Sequence, residues 1–227
     1  MTESEWATST DPFLMLTFLE TRGPVSRRKL RLFALAACRR WWPLLTDPRS
    51  RAAVEVAERH VDGLVDEPAW ERAGLEAWRA VRDAEEGRED REGLPGMGWK
   101  AAWAAWVASA PPGQPSPADH RTFVTVTAPD PGAELDPSDE SAAHAAVLRD
   151  LFGNPHPPPA IDSSWRTESV VALAHGIYEE RAWARMGVLA DALEDSGGDI
   201  AELLDHCRGV EPHHRGCWVV DLVLGMG

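Results

Sequence analysis

The chain is 227 residues long (24.9 kDa), 44% hydrophobic, and carries a net charge of -14. That is long enough to bury a real core and too apolar for a disordered polymer. No run approaches the roughly 18 apolar residues that a bilayer span needs. Three cysteines, an odd number, speak against a disulfide framework. Residues 1–6 hold two glutamates and no basic side chain, unlike a secretory leader. A soluble cytoplasmic protein with no membrane partner is expected.

Taken in order, the chain reads as helix after helix. Asp11-Pro12 opens one that Gly23-Pro24 breaks, an N-cap followed by proline in the first turn. The next carries Leu30, Phe33, Ala34, Ala37, Cys38 and Trp41 at three- and four-residue spacing. Cys38 falls in that stripe as a buried small hydrophobe. Asp47-Pro48 and Glu67-Pro68 open two more, and the second dissolves into a charged, glycine-flanked run over 85–93. Trp99, Trp103 and Trp106 recur at i, i+4 and i+7 on an Ala-rich helix. They form either a core-facing stripe or an aromatic platform.

Residues 110–117 are Pro-rich and mark a linker or internal boundary. Residues 123–127 alone have strand-like composition, unless a helix from near Ser116 runs through them. A helix from Ser138-Asp139-Glu140 should stop at Gly153-Asn154-Pro155, with extended backbone through the prolines that follow. Further helices are expected after Thr167, through Met186 to Leu193, from Ile200 to Leu204 and after Gly216. The sum is an all-α bundle of about nine or ten short helices with Pro-rich loops. It divides into an N-terminal helical part (1–110) with a basic hairpin, a Pro-rich linker or loop (111–137) and a C-terminal helical part (138–227), together one compact unit.

Charge is uneven. Residues 21–60 hold ten arginines or lysines, among them Arg27, Arg28, Arg31, Arg39 and Arg40, against Asp47, Glu55 and Glu58. Such a segment either meets an external anion or docks on acidic groups of its own chain. Overall acidity repels a polyanion, so nucleic acid is not the expected partner.

Several phrases belong together: Arg28-Lys29-Leu30-Arg31-Leu32-Phe33-Ala34, Leu148-Arg149-Asp150-Leu151-Phe152-Gly153-Asn154-Pro155, Gly176-Ile177-Tyr178-Glu179-Glu180-Arg181, Leu189-Ala190-Asp191-Ala192-Leu193-Glu194-Asp195, and His206-Cys207-Arg208-Gly209 closing on Arg215-Gly216-Cys217-Trp218-Val219-Val220-Asp221-Leu222. On these the chain resembles a bacterial family that occurs in many paralogous copies in large, GC-rich genomes. The likeness spans nearly the whole chain and weakens over 83–140. It implies no activity, substrate or cofactor. It implies a histidine at the position of His213 and an apolar residue at 214, which would make His214 peculiar to this chain.

The stretch 205–218 gathers three of the eight histidines and two of the three cysteines. His206, Cys207, His213 and Cys217 could supply four zinc ligands that staple two short helices. Against this, adjacent His206 and Cys207 cannot readily turn to one ion from within a helix. The alternative places His206 at a helix C-terminus that Arg208-Gly209 ends, with both cysteines buried as apolar groups. Cys217 could instead be a thiol nucleophile at a helix start, with His213 or His214 as base. Asp191, Glu194 and Asp195 share one helix face and read as a solvated acidic surface. No complete catalytic arrangement emerges, so the reading leans away from an enzyme. The leading expectation is a protein-interaction or adaptor domain whose unidentified partner meets Arg27, Arg28, Arg31, Arg39, Arg40, Trp99, Trp103 or Trp106. No cofactor is required by that reading. The alternatives are a small zinc protein and an anion-binding or nucleic-acid-binding protein acting through 21–60.

Overall fold

A computed structural model describes residues 1–87, 97–111, 137–156, 160–210 and 212–226. Among them the fold is all-α, with eleven helices and no strand. The helices are α1 (Glu3–Thr8), α2 (Pro12–Arg22), α3 (Arg27–Arg40), α4 (Pro48–Val61), α5 (Glu67–Glu86), α6 (Met97–Ser109), α7 (Pro137–Phe152), α8 (Glu168–Glu180), α9 (Met186–Asp195), α10 (Ala201–Arg208) and α11 (Trp218–Leu224). The strand-like 123–127, the alternative helix from Ser116 and most of the 111–137 linker lie outside the described residues. So does most of the charged run, although α5 extends through its first two residues to Glu86.

The expected starts are capped as their side chains dictate. Asp11, Asp47 and Asp66 each accept backbone N–H groups just ahead of a proline-containing first turn, leaving fewer orphan donors. The short α1, which periodicity did not reveal, is built on a capping box: Thr2 accepts from the Glu5 amide while the Glu5 side chain accepts from the Thr2 amide.

Contacts group the chain into two compact units. The sequence reading cut the chain at 110 and 138; the contacts instead gather Arg27–His144 into one unit and Met1–Ser26 with Ala145–Gly227 into the other. The N-terminal helices therefore belong with the C-terminal ones.

In the unit Arg27–His144, α3, α4 and α5 pack on α6. Alanines let the backbones approach: Ala53 and Ala57 on α4, Ala77 and Ala80 on α5, and Ala101, Ala104, Ala105 and Ala108 on α6 are all buried. Because most of α6 from Ala101 onward is buried, its apolar pattern has little amphipathic contrast. Its C-terminal carbonyls are closed by Arg31, which donates to Ala108 and Ala110 at 3.0 and 2.7 Å, a cation on the negative helix end. Trp106 is buried, whereas Trp99 and Trp103 are partly buried and stack at 5.1 Å. Trp78 completes the aromatic group, 4.6 Å from Trp106.

Four arginines of 21–60 answer carboxylates of their own unit, and Arg31 and Arg51 donate to backbone carbonyls. Arg39 forks onto Glu58 at 3.0 and 2.6 Å, and Arg40 onto Glu140 at 3.3 and 2.9 Å. Arg28 meets Asp62, and Arg49 meets Asp47 and Asp83. Arg27 is exposed at the start of α3. Bidentate pairs onto buried glutamates fix register as well as charge.

His144 lies one turn after Glu140 on α7, with the Phe33 ring edge-on to it at 6.0 Å. Burial, opposed by Glu140 and reinforced by Arg40, holds the pKa of this imidazole down at about 4 instead of 6.5. The unfolded chain therefore takes up a proton first as pH falls. Stability should drop by on the order of 3 kcal/mol between about pH 6.5 and 4. Urea midpoints across that range check it: His144→Leu should flatten the slope above the region where Glu140 itself protonates.

Candidate metal centre

In the other unit, α8, α9, α10 and α11 enclose an apolar core of Val170, Ile177, Met186, Leu189, Leu193, Leu203, Val219, Val220 and Val223. A carboxylate lies beside it. Asp150, near the C-terminal end of α7, is 2% exposed and sits among the histidines of the segment that links α10 to α11.

Each histidine arrives differently. His206 occupies the last turn of α10, as its helix position leads one to expect, and Gly209 ends that helix. His213 and His214 lie in the irregular chain between α10 and α11. Gly216, at φ +87°, turns the backbone in a conformation that suits glycine. Cys217 follows as the residue that precedes α11, and it is fully buried.

The distances define the chemistry. Asp150 Oδ1 lies 3.2 Å from His206 Nε2 and 3.1 Å from His213 Nδ1. Cys217 Sγ lies 3.2 Å from that same His206 Nε2 and 3.8 Å from that same His213 Nδ1. The four donor atoms are all within 4.8 Å of one another. The other oxygen, Asp150 Oδ2, accepts the backbone N–H of His214 at 2.7 Å and lies 3.0 Å from its Nδ1.

A thiol–imidazole–carboxylate relay needs the thiol on one ring nitrogen and the acid on the other, because the proton enters at one and the ring is oriented through the other. Here both imidazoles turn one nitrogen toward sulfur and carboxylate alike. One N–H cannot serve both acceptors well. Donors that converge in this way could hold a metal ion.

Electrostatics agree. Burial would raise the Asp150 pKa, yet hydrogen bonds from His206, His213 and His214 outweigh it and hold the carboxyl far below the usual range. Asp150 is therefore a buried anion stabilised by three imidazoles. Burial, with the neighbouring Asp150 charge, drives the Cys217 thiol well above its ordinary range. Without a cation it is a neutral thiol, not a nucleophile.

Of the four ligands expected from sequence, His206, His213 and Cys217 are thus brought together. Cys207 is not in that group; it packs into the apolar core, where burial pushes its thiol up to about 12. A helix cannot turn consecutive side chains to one point, and the fourth donor is Asp150, 56 residues before His206. The carboxylates of α9 behave as a surface: Asp191 and Glu194 both accept from Arg208, at 2.7 and 2.6 Å, and are well exposed. A cleft of about 470 Å³ lined by Trp183, Met186, Cys207, Pro212 and His213 opens beside the centre.

No protein-family model, curated protein or solved structure matches the chain. No helix among the described residues is long and apolar enough to cross a membrane.

Asp150→Asn keeps the shape but removes the buried charge that orders three imidazoles. It should lower stability by about 3 kcal/mol, read as a shift in the denaturant midpoint measured in the presence of chelator.

Proposed function

We propose that the C-terminal part of this protein is a small metal-binding module whose ion, of the zinc class, staples α7, α10 and the start of α11. Asp150 Oδ1, His206 Nε2, His213 Nδ1 and Cys217 Sγ are the ligands. The observation that carries this reading is that one nitrogen of each imidazole faces both the carboxylate and the sulfur.

Size fits. Tetrahedral zinc with nitrogen and oxygen at about 2.0–2.1 Å and sulfur at about 2.3 Å sets ligand–ligand edges of roughly 3.3 to 3.6 Å. Four of the six edges, at 3.1, 3.2, 3.2 and 3.8 Å, bracket that range, and the other two stay within 4.8 Å. Charge fits as well. A divalent cation with one carboxylate, one thiolate and two neutral imidazoles sums to zero, so the buried site carries no net charge to desolvate. The ion would also deprotonate Cys217, which burial otherwise keeps neutral. A mixed nitrogen, oxygen and sulfur shell suits zinc better than a hard cation such as magnesium.

Four protein donors leave no position for substrate, which favours a structural role. The helices concerned are short, eight residues in α10 and seven in α11, and such helices need tertiary support. His214 completes the arrangement from outside the shell by holding the second Asp150 oxygen, a partner of the kind that typically tunes affinity ten- to a hundred-fold.

A closed site is compatible with a non-enzymatic adaptor. The residues expected to meet a partner lend that idea less weight, because Arg28, Arg31, Arg39 and Arg40 engage intramolecular acceptors and the tryptophans stack on one another. The same pairing weakens the case for a polyanion at 21–60.

Cobalt substitution tests the reading. One equivalent of Co(II) should bind and give thiolate-to-metal absorption, which Cys217→Ser abolishes and Cys207→Ser leaves intact. Absence of cobalt binding, or equal loss in the two variants, would contradict the assigned ligand set.

A further inference from the structure

The first eleven residues are fastened to the end of the helix that carries Asp150. Helix α1 has six residues and buries one side chain, Trp6, too little to persist by itself. Its long-range hydrogen bonds converge on one short stretch. Trp6 Nε1 donates to the Gly153 carbonyl at 2.9 Å, Arg149 donates to the Ser9 carbonyl at 2.8 Å, and the Asn154 amide donates to the Glu3 carboxylate. Asp150 lies within that stretch, directly after Arg149.

The same stretch touches the metal centre by a second route. Gly153 ends α7 at φ +62°, and a Cβ there would come within 3.0 Å of the Trp218 indole. The backbone that receives Trp6 therefore lies against Trp218, the neighbour of Cys217. The Trp218 ring is in turn 5.3 Å from the His206 ring. Two ligands, Asp150 and Cys217, thus sit in the segments that form the receiving place for α1, and a third, His206, packs against it.

We infer that α1 is a metal-linked latch: an ion in the centre holds the end of α7 and Trp218 in the positions that receive Trp6, and docking of Trp6 raises the affinity for that ion. The inference rests on the metal reading above. Linkage makes the two effects equal in size. Metal occupancy would then be readable at the surface, through the docked or released state of the N-terminal helix. The Phe18 ring of α2, 6.1 Å from Trp6 and stacked on His156 at 4.8 Å, is a further support for Trp6.

The test uses the intact chain. Hydrogen exchange of residues 3–8 is followed with one equivalent of zinc and after chelation, and zinc affinity is measured by competition with a chromophoric chelator. Trp6→Phe keeps an aromatic ring, removes the N–H donated to Gly153 and fills the buried place less completely. Zinc should slow exchange in α1 by about tenfold, and Trp6→Phe should weaken zinc binding by a similar factor. If Trp6→Phe folds poorly, Glu3→Ala at the exposed Asn154 contact should shift affinity in the same direction by less. Zinc uptake with unchanged α1 exchange and unchanged affinity in the variants overturns the latch and leaves the metal reading standing. Failure of the intact chain to take up zinc overturns both.

Discussion

A carboxylate buried to 2% exposure cannot stand alone, and much of the C-terminal architecture follows from Asp150. Taking an anion out of water costs several kcal/mol unless donors or a cation replace the lost hydration. Here α7 delivers the charge, the last turn of α10 delivers His206, and the chain that leaves α10 delivers His213, His214 and Cys217. The Gly216 turn makes sense as the means of bringing Cys217 to that point. Hydrogen bonds alone satisfy the carboxylate, but they leave a thiol and a carboxylate competing for the same imidazole nitrogens. The proposed divalent ion would remove the competition and neutralise the charge in one step.

The unit Arg27–His144 meets the same constraint differently. Its buried carboxylates, Glu58 and Glu140, are each matched by an arginine fork, with the Trp41 N–H also on Glu140. Arginine suits this because its planar fork pairs both oxygens and loses little further freedom on doing so. Part of the excess of cations in 21–60, which looks like a binding patch along the chain, is internal counter-charge: Arg28, Arg39, Arg40 and Arg49 pair with carboxylates. The tryptophan row on α6 likewise faces other rings and neighbouring helices.

How legible this was depends on distance along the chain. Local signals were strong: proline after aspartate located the starts of α2 and α4, Gly153 located the end of α7, and three-residue periodicity identified helices throughout. The donors His206, His213 and Cys217 stood out because they crowd one short stretch. Cys207 stood out for the same reason and belongs elsewhere, since a helix sends residues 206 and 207 about 100° apart. Asp150 was hidden because an aspartate inside Leu148-Arg149-Asp150-Leu151 looks like any polar residue on an amphipathic helix. Its one available cue was position: an aspartate between leucines, where the apolar face should run. Helix α1 was hidden because six residues with one tryptophan have no periodicity, although Thr2 and Glu5 form a recognisable capping box. The grouping of residues 1–26 with the C-terminal helices had no local signal at all, because it depends on long-range bonds such as Trp6 to Gly153.

Native mass spectrometry of the untagged chain, before and after treatment with a chelator, tests the central claim most directly. The account predicts one zinc-sized increment per chain that chelation removes, together with a loss of helical content as α10 and α11 lose their staple. A bare mass that persists after exposure to zinc, with helicity unchanged by chelator, would contradict it and leave Asp150 and its histidines as a purely hydrogen-bonded cluster.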